Sequence, residues 1–169
     1  MVRPSRDDDF DVIHAIINDA AEAYRDVIPK DCWHTPYMGD DELRREIQAG
    51  VVFSVEEREH EVLGVMGLQN VADVTLIRHA YVRTKHQGQG IGSKLLNAFK
   101  EITTRPLLIG TWAAATWAIS FYDGHGFRLV DIETKERLLD TYWSVPSRQA
   151  TTSVVLADQT WWDAVVERP

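Results

Sequence analysis

Apolar residues recur at helical spacing through Phe10, Ile13, Ile17, Ala20, Ala21 and Tyr24, behind the acidic run Asp7-Asp8-Asp9. That order suits a helix that presents one face to a sheet and accepts negative charge at its first turn. The period is lost from Pro29 to Gly39, where two prolines and a glycine interrupt it, and returns as a short helical candidate over 41–49. The β-rich runs 51–55 and 62–68 flank the charged stretch Glu56-Glu57-Arg58-Glu59-His60-Glu61, which predicts a hairpin. A further strand is expected over 74–83, followed by a helix over 91–102 whose stripe is Ile91, Leu95, Leu96, Phe99 and Ile102, with Lys94, Lys100 and Glu101 largely opposite. The remaining pattern predicts a strand over 107–112, a helix over 113–122 ended by Gly124 and Gly126, a strand over 128–132, a charged helix over 133–143, a loop around Pro146 and a last strand over 153–157.

A hairpin followed by alternating strands and helices predicts a mixed α/β (α+β) fold: a central sheet of about six or seven strands with helices on both faces. With 169 residues and 44% hydrophobic content, the chain is read as a single domain over 1–169. Its apolar stretches are short and broken by charges, so no membrane partner is expected. The opening residues lack the apolar centre of a signal peptide, which points to a cytoplasmic location. The net charge of −8 argues against a nucleic-acid partner. Cys32 is the only cysteine and the six histidines show no metal spacing, so no metal is expected.

The chemistry concentrates between the 74–83 strand and the helix that follows. Gln87-Gly88-Gln89-Gly90-Ile91-Gly92 places three glycines at alternate positions ahead of Ser93. Glycine allows backbone conformations that turn successive N–H groups inward, and the following helix adds the positive end of its dipole, so a phosphate cradle is expected. The dinucleotide fingerprint fails because Ser93 or Leu95 stands where it needs a third Gly or Ala. The P-loop pattern begun at Gly88 fails because Ser93 replaces the glycine before Lys94.

Gln87, Gly90 and Gly92 do fill a Gln/Arg-x-x-Gly-x-Gly/Ala pattern, and Ala118-Ile119-Ser120-Phe121-Tyr122 with Gly126-Phe127 fills a second, Ala-Ile-x-Phe-Tyr-x-x-x-Gly-Phe. Together with Ala80-Tyr81-Val82 at the end of the preceding strand, these segments resemble the GCN5-related N-acetyltransferase (GNAT) superfamily, over about 74–127. The resemblance implies a single GNAT-like domain and an acetyl-CoA-dependent N-acetyltransferase, in which a primary amine of a small molecule or peptide attacks the thioester directly. Acetyl-CoA would be the acyl donor.

On that resemblance the pyrophosphate of coenzyme A sits on the backbone from Gln87 through Gly88, Gln89, Gly90, Ile91 and Gly92 to Ser93. The pantetheine arm pairs with the strand edge at Tyr81 and Val82. A bulge near Ala80 and Tyr81 is implied, aiming an N–H at the thioester carbonyl. Tyr122 matches the tyrosine that protonates the departing thiolate.

No residue matches the family's general base, since the corresponding positions hold Leu76 and Arg78. Glu22 and His34 are left as candidates through a water relay. His79 is expected, from strand alternation, on the face opposite Arg78 and packed in the core. Arg78 is expected to face the acceptor, where it would pair with an acidic group of the substrate or with a structural partner. His34 and Arg78 are thus the candidate substrate-binding residues.

Ala115 stands where many relatives carry an asparagine that bonds the pantetheine arm. The stretch with Tyr142, Trp143, Arg148 and Gln149 lies where relatives differ most and often recognise acceptors. Trp161-Trp162 would cover the core or meet a second copy of the chain, which leaves a homodimer open. Two rival readings remain: a non-catalytic acyl-CoA sensor or regulatory module of the same fold, and an interaction scaffold with a dead cofactor site. Tyr122 and the intact glycine loop, respectively, speak against them.

Overall fold

The computed structural model describes residues 1–166, and the chain divides into two compact units. The first comprises Met1–Arg25, Trp33–Gln69 and Ile77–Thr104. It contains β1 (Val2–Pro4), α1 (Phe10–Ala21), α2 (Asp40–Gln48), β2 (Val52–Arg58), β3 (Glu61–Val71), most of β4 (Val74–Val82) and α3 (Ile91–Ile102). The second comprises Asp26–Cys32, Asn70–Leu76 and Arg105–Pro169. Its elements are β5 (Leu107–Trp112), α4 (Thr116–Asp123), β6 (Arg128–Leu129), α5 (Ile132–Tyr142), α6 (Ser147–Thr151), β7 (Ser153–Ala157) and α7 (Gln159–Val166). The strands form one seven-stranded mixed sheet in the order β1-β2-β3-β4-β5-β7-β6.

In the first unit the strand period places helices on both faces of β2. Phe53 and Val55 point into a core with Ile13, Ile16 and Ile17 of α1 and Leu43 of α2. The neighbouring Glu56, only 1% exposed, turns the other way, and its carboxylate lies 3.5 Å from the Lys94 ammonium of α3. The β2–β3 hairpin closes through Glu59 and His60, both at positive φ (49° and 67°). A two-residue turn of that kind matches the twist of the flanking strands, and here it is formed without glycine. In the second unit, β5 and β7 pair antiparallel from Leu108↔Ala157 to Trp112↔Ser153. Their apolar residues Leu108 and Val155 pack with Leu138, Leu139 and Trp161.

Several boundaries depart from the apolar pattern. β2 runs on to Arg58, deep into the charged stretch expected to be turn, because Glu57 and Arg58 still pair with Val62 and Glu61 after a register shift between Glu56 and Glu57. α4 begins at Thr116, not Ala113, after a turn in which Ala115 N–H donates to the Trp112 carbonyl. The expected 128–132 strand shrinks to two residues, since the Asp131 side chain accepts the Thr134 N–H at 2.9 Å and so starts α5 one residue later. The loop around Pro146 contains α6, and β1 and α7 add two elements that the apolar period does not predict. Trp161 and Trp162 sit on α7, with Trp161 7% exposed in the second unit's core and the Arg128 guanidinium 4.6 Å from the Trp162 ring.

β1 is too short to be specified by period. It is held by Arg3, whose guanidinium donates to both oxygens of the buried Asp9 at 2.7 and 3.0 Å, while Arg6 N–H donates to the same carboxylate. The Arg3 hydrogen bond lowers the Asp9 pKa, outweighing the burial that opposes ionisation, and the Arg6 N–H adds to the lowering. A depressed carboxylate pKa favours folding above the unfolded value and loses that contribution as pH falls through the folded one. Asp9→Asn should therefore destabilise the chain at neutral pH by about 3 kcal/mol, the order expected when one partner of a buried pair is removed. Denaturant titrations should show the gap between variant and parent narrowing below about pH 4.

Candidate functional site

Strand β4 changes character half way along. Val74 to Ile77 are buried, whereas every residue from Arg78 to Val82 is partly exposed. At the changeover His79 has φ of +48°, a left-handed conformation rarely adopted by a non-glycine residue inside a strand. This breaks the side-chain alternation. Arg78 and His79 consequently reach the same carboxylate: Arg78 Nη2 donates to Glu46 Oε2 at 2.6 Å, and His79 Nε2 lies 3.3 Å from that oxygen. The expectation that alternation sends His79 away from Arg78 is thus overturned by its backbone.

Glu46 belongs to α2 and carries no motif that would mark it in the sequence. Burial opposes its ionisation, but the His79 hydrogen bond and the Arg78 charge outweigh this, so its pKa is lowered. Arg78 also donates through Nη1 to Gln69 Oε1 at 2.7 Å. Of the two partners expected for Arg78, a substrate acid or a structural group, the structure shows the second, with Glu46 and Gln69 both engaged.

Beyond the break, Tyr81 enters an aromatic cluster. Its ring lies 6.4 Å from Tyr24, Tyr24 lies 5.6 Å from Tyr37, and Tyr37 lies 5.6 Å from Trp33 and 6.1 Å from His34. His34 itself is exposed, and the Arg25 guanidinium stands 4.9 Å over the Trp33 ring. Glu22 is also exposed and is held by Arg25 at 2.8 Å. The one sequence signal for this cluster is the aromatic content of the irregular stretch after α1. Cys32 lies in a 3₁₀ turn, partly buried and unbonded to another cysteine.

The glycine loop follows Val82 after one short 3₁₀ turn at Thr84–His86. Gly88 and Gly90 have φ of +76° and +75°, and Gly90 is the residue from which α3 starts. The Lys94 N–H closes the first helical turn on the Gly90 carbonyl at 3.1 Å. The N–H groups of Ile91 and Gly92 begin the helix and lie at the positive end of its dipole. Gln87 to Gly90 lie at the surface, as an anion-binding backbone requires. Val82 is partly exposed, and its carbonyl accepts from Gln87 Nε2 at 3.3 Å. Gly64 of β3 allows close approach here: a Cβ at that position would lie 2.7 Å from Ile91 Cγ2 and 3.3 Å from the Tyr81 carbonyl oxygen.

In the second unit, Tyr122 is 4% exposed near the end of α4, with ring centroids 5.0 Å from Phe121 and 5.5 Å from Phe127. Ala115 is fully buried at the N-cap of α4. Trp143 packs against Gly110, and Tyr142 donates to Asp73, while Arg148 is paired with Asp31 at 2.9 Å. Among the described residues no group of three or more His, Cys, Asp or Glu side chains is arranged to hold a metal, and no helix is long and apolar enough to cross a membrane.

Residues 48–129 match the family model described as an acetyltransferase (GNAT) domain. Among solved structures, the fold is similar to that of the PaiA N-acetyltransferase from Thermoplasma acidophilum in complex with coenzyme A, with a TM-score of 0.71 and 13% identity over 94% of this chain and 97% of that one. A GNAT-family acetyltransferase from Staphylococcus aureus Mu50 gives a TM-score of 0.69 and 16% identity, with 94% and 97% covered. A ribosomal-protein-alanine N-acetyltransferase from Brucella melitensis gives 0.59 and 22%, with 78% and 86% covered.

The Tyr81 phenol is pushed well above its ordinary value of 10.0 by burial and by its neighbours Tyr24 and Tyr37. A raised phenol pKa supports the fold below the unfolded value and loses that support as pH rises towards the folded one. In a spectrophotometric titration just past pH 10.0, Tyr81→Phe should remove no tyrosinate absorbance from the folded chain, and should do so only once the chain is unfolded.

Proposed function

We propose that this chain, whose residues 48–129 match the GNAT acetyltransferase domain model, transfers the acetyl group of acetyl-CoA to a primary amine of a small molecule or peptide. The observation that carries the reading is the pair of left-handed glycines, Gly88 and Gly90, immediately ahead of α3. They turn an exposed stretch of main chain into a row of donors at a helix N-terminus, the arrangement that suits a pyrophosphate.

Each residue then has a role. The backbone from Gln87 to Ser93 holds the pyrophosphate, and the partly exposed edge at Tyr81 and Val82 pairs with the pantetheine arm like an added strand. The neutral amine attacks the thioester carbonyl, forming the C–N bond, and the oxygen's developing charge is met by a backbone N–H of the irregular part of β4. As the tetrahedral species collapses, the C–S bond breaks and the sulfur takes up a proton. Tyr122, through its phenolic O–H, is the proposed donor, and the nitrogen gives up a proton in exchange. An ordinary tyrosine is a weaker acid than a thiol by about 1.5 units, so this donation is a hydrogen bond that tightens as the thiolate forms. Ala115 leaves the pantetheine arm without the side-chain bond many relatives supply, which puts more of the binding on main chain.

Acetyl-CoA at 100 times its dissociation constant should stabilise the folded chain by about 2.7 kcal/mol, read as a concentration-dependent rise in Tm. No rise at millimolar acetyl-CoA would sink the cofactor assignment. Thiol release measured against a panel of amines then tests turnover, and binding without release on any amine would favour an acyl-CoA sensor. Tyr122→Phe keeps the ring that packs on Phe127 and should lower kcat on the order of 100-fold while leaving the acetyl-CoA thermal shift intact. Unchanged turnover would remove the role.

A further inference from the structure

We propose that His79 is the general base that deprotonates the acceptor amine, held in the required tautomer by Glu46; this rests on the acetyl-transfer reading above. A primary amine is largely an ammonium ion at neutral pH and has no lone pair for attack until a proton is removed. Leu76 and Arg78, at the central-strand positions where a base would be expected, offer no proton acceptor. The left-handed backbone of residue 79 supplies one that strand alternation hides.

The geometry fixes which ring nitrogen acts. Glu46 is ionised, because Arg78 donates to its Oε2 at 2.6 Å, and an ionised carboxylate can only accept. The imidazole nitrogen 3.3 Å away, Nε2, therefore carries the hydrogen that faces Glu46. That leaves Nδ1 as the basic nitrogen, and among the described residues it has no hydrogen-bond partner. The ring is steadied by stacking on Phe53 of β2, with centroids 6.1 Å apart and planes inclined by 26°. The side chain is 14% exposed, shielded yet open enough to exchange a proton with solvent. The charged and titratable groups around it are Glu46 of α2 and Arg78 of β4, and from β3 the neutral Gln69 completes the network through Arg78.

His79 also stands two residues before Tyr81 on the same strand, next to the edge assigned to the pantetheine arm. The step balances: the ammonium N–H bond breaks, its proton moves to Nδ1, and the freed lone pair forms the C–N bond. Glu46 stabilises the imidazolium until water takes the proton. Glu46 is a positioning residue in this scheme, since it touches neither amine nor thioester.

The left-handed φ at 79 makes the test feasible, because asparagine and glycine tolerate that conformation. His79→Asn should lower kcat/KM about 100-fold at neutral pH, abolish the acid-side limb of the pH profile and preserve the acetyl-CoA thermal shift. His79→Gly should show the same loss and regain at least about tenfold of its activity when free imidazole is added, a recovery that a merely structural role would not produce. Glu46→Gln should lower kcat with little change in KM for the amine, because the amide no longer stabilises the imidazolium as it forms. A parent chain that releases thiol with an amine, alongside an H79N variant of unchanged turnover and pH profile, overturns the base assignment alone. A folded, acetyl-CoA-binding H79G variant that imidazole fails to restore does the same. A parent chain that binds acetyl-CoA and releases no thiol with any amine overturns the acetyl-transfer reading, and the base assignment with it.

Discussion

Everything proposed for this chain depends on one strand serving two incompatible demands. The first half of β4 must be sheet interior, and Val74, Thr75, Leu76 and Ile77 are buried accordingly. On the proposed reading the second half leaves backbone free for the pantetheine arm, which an evenly paired central strand cannot do. A left-handed residue at position 79 reconciles the two. A strained, non-glycine φ costs on the order of 1–3 kcal/mol and persists only where the surroundings over-determine it. Here the surroundings are the Glu46 carboxylate, the Arg78 guanidinium and the Phe53 ring. The ion-pair network that anchors α2 to β4 is thus also what holds the strand out of register with its own pattern.

The elements that can be read from the sequence are those whose burial follows a period. α1 and α3 each keep a stripe, and Ile91, Leu95, Leu96 and Phe99 are buried as the spacing requires, whereas Ile102, expected to end that stripe, lies at the helix terminus and is 73% exposed. The hairpin is visible in outline, although charge alone marks its turn too broadly. In fact β2 carries Glu56, Glu57 and Arg58 inside the strand. Of the three only Glu56 is buried, and its charge is tolerated because the N-terminal ammonium, Arg58 and Lys94 lie against it. β1 escapes notice for a related reason: three residues have no measurable period, and their place is set by Arg3 reaching Asp9 six positions away.

The candidate site is legible to the extent that it uses main chain. Gly88, Gly90 and Gly92 are visible as letters because the conformation itself demands glycine at two of those positions. Side-chain chemistry is less visible. His79 and Glu46 lie 33 positions apart and meet only when α2 packs on the sheet, and the φ of residue 79 leaves no mark in its own identity. Arg78 illustrates the converse: its charge is conspicuous, yet Glu46 and Gln69 already occupy it.

The glycine loop also bears on how much a sequence must remember. A surface that binds through N–H groups reads the same whatever side chains project from it, provided the dihedral angles are kept. Only a few letters are then constrained, and the rest of the chain can drift so long as it rebuilds the scaffold. A protein sharing 13% of its residues with this one still superposes over nearly its whole length. A constraint on dihedral angles rather than on functional groups leaves few letters fixed, and for that reason the proposed cofactor is easier to read from the chain than the amine.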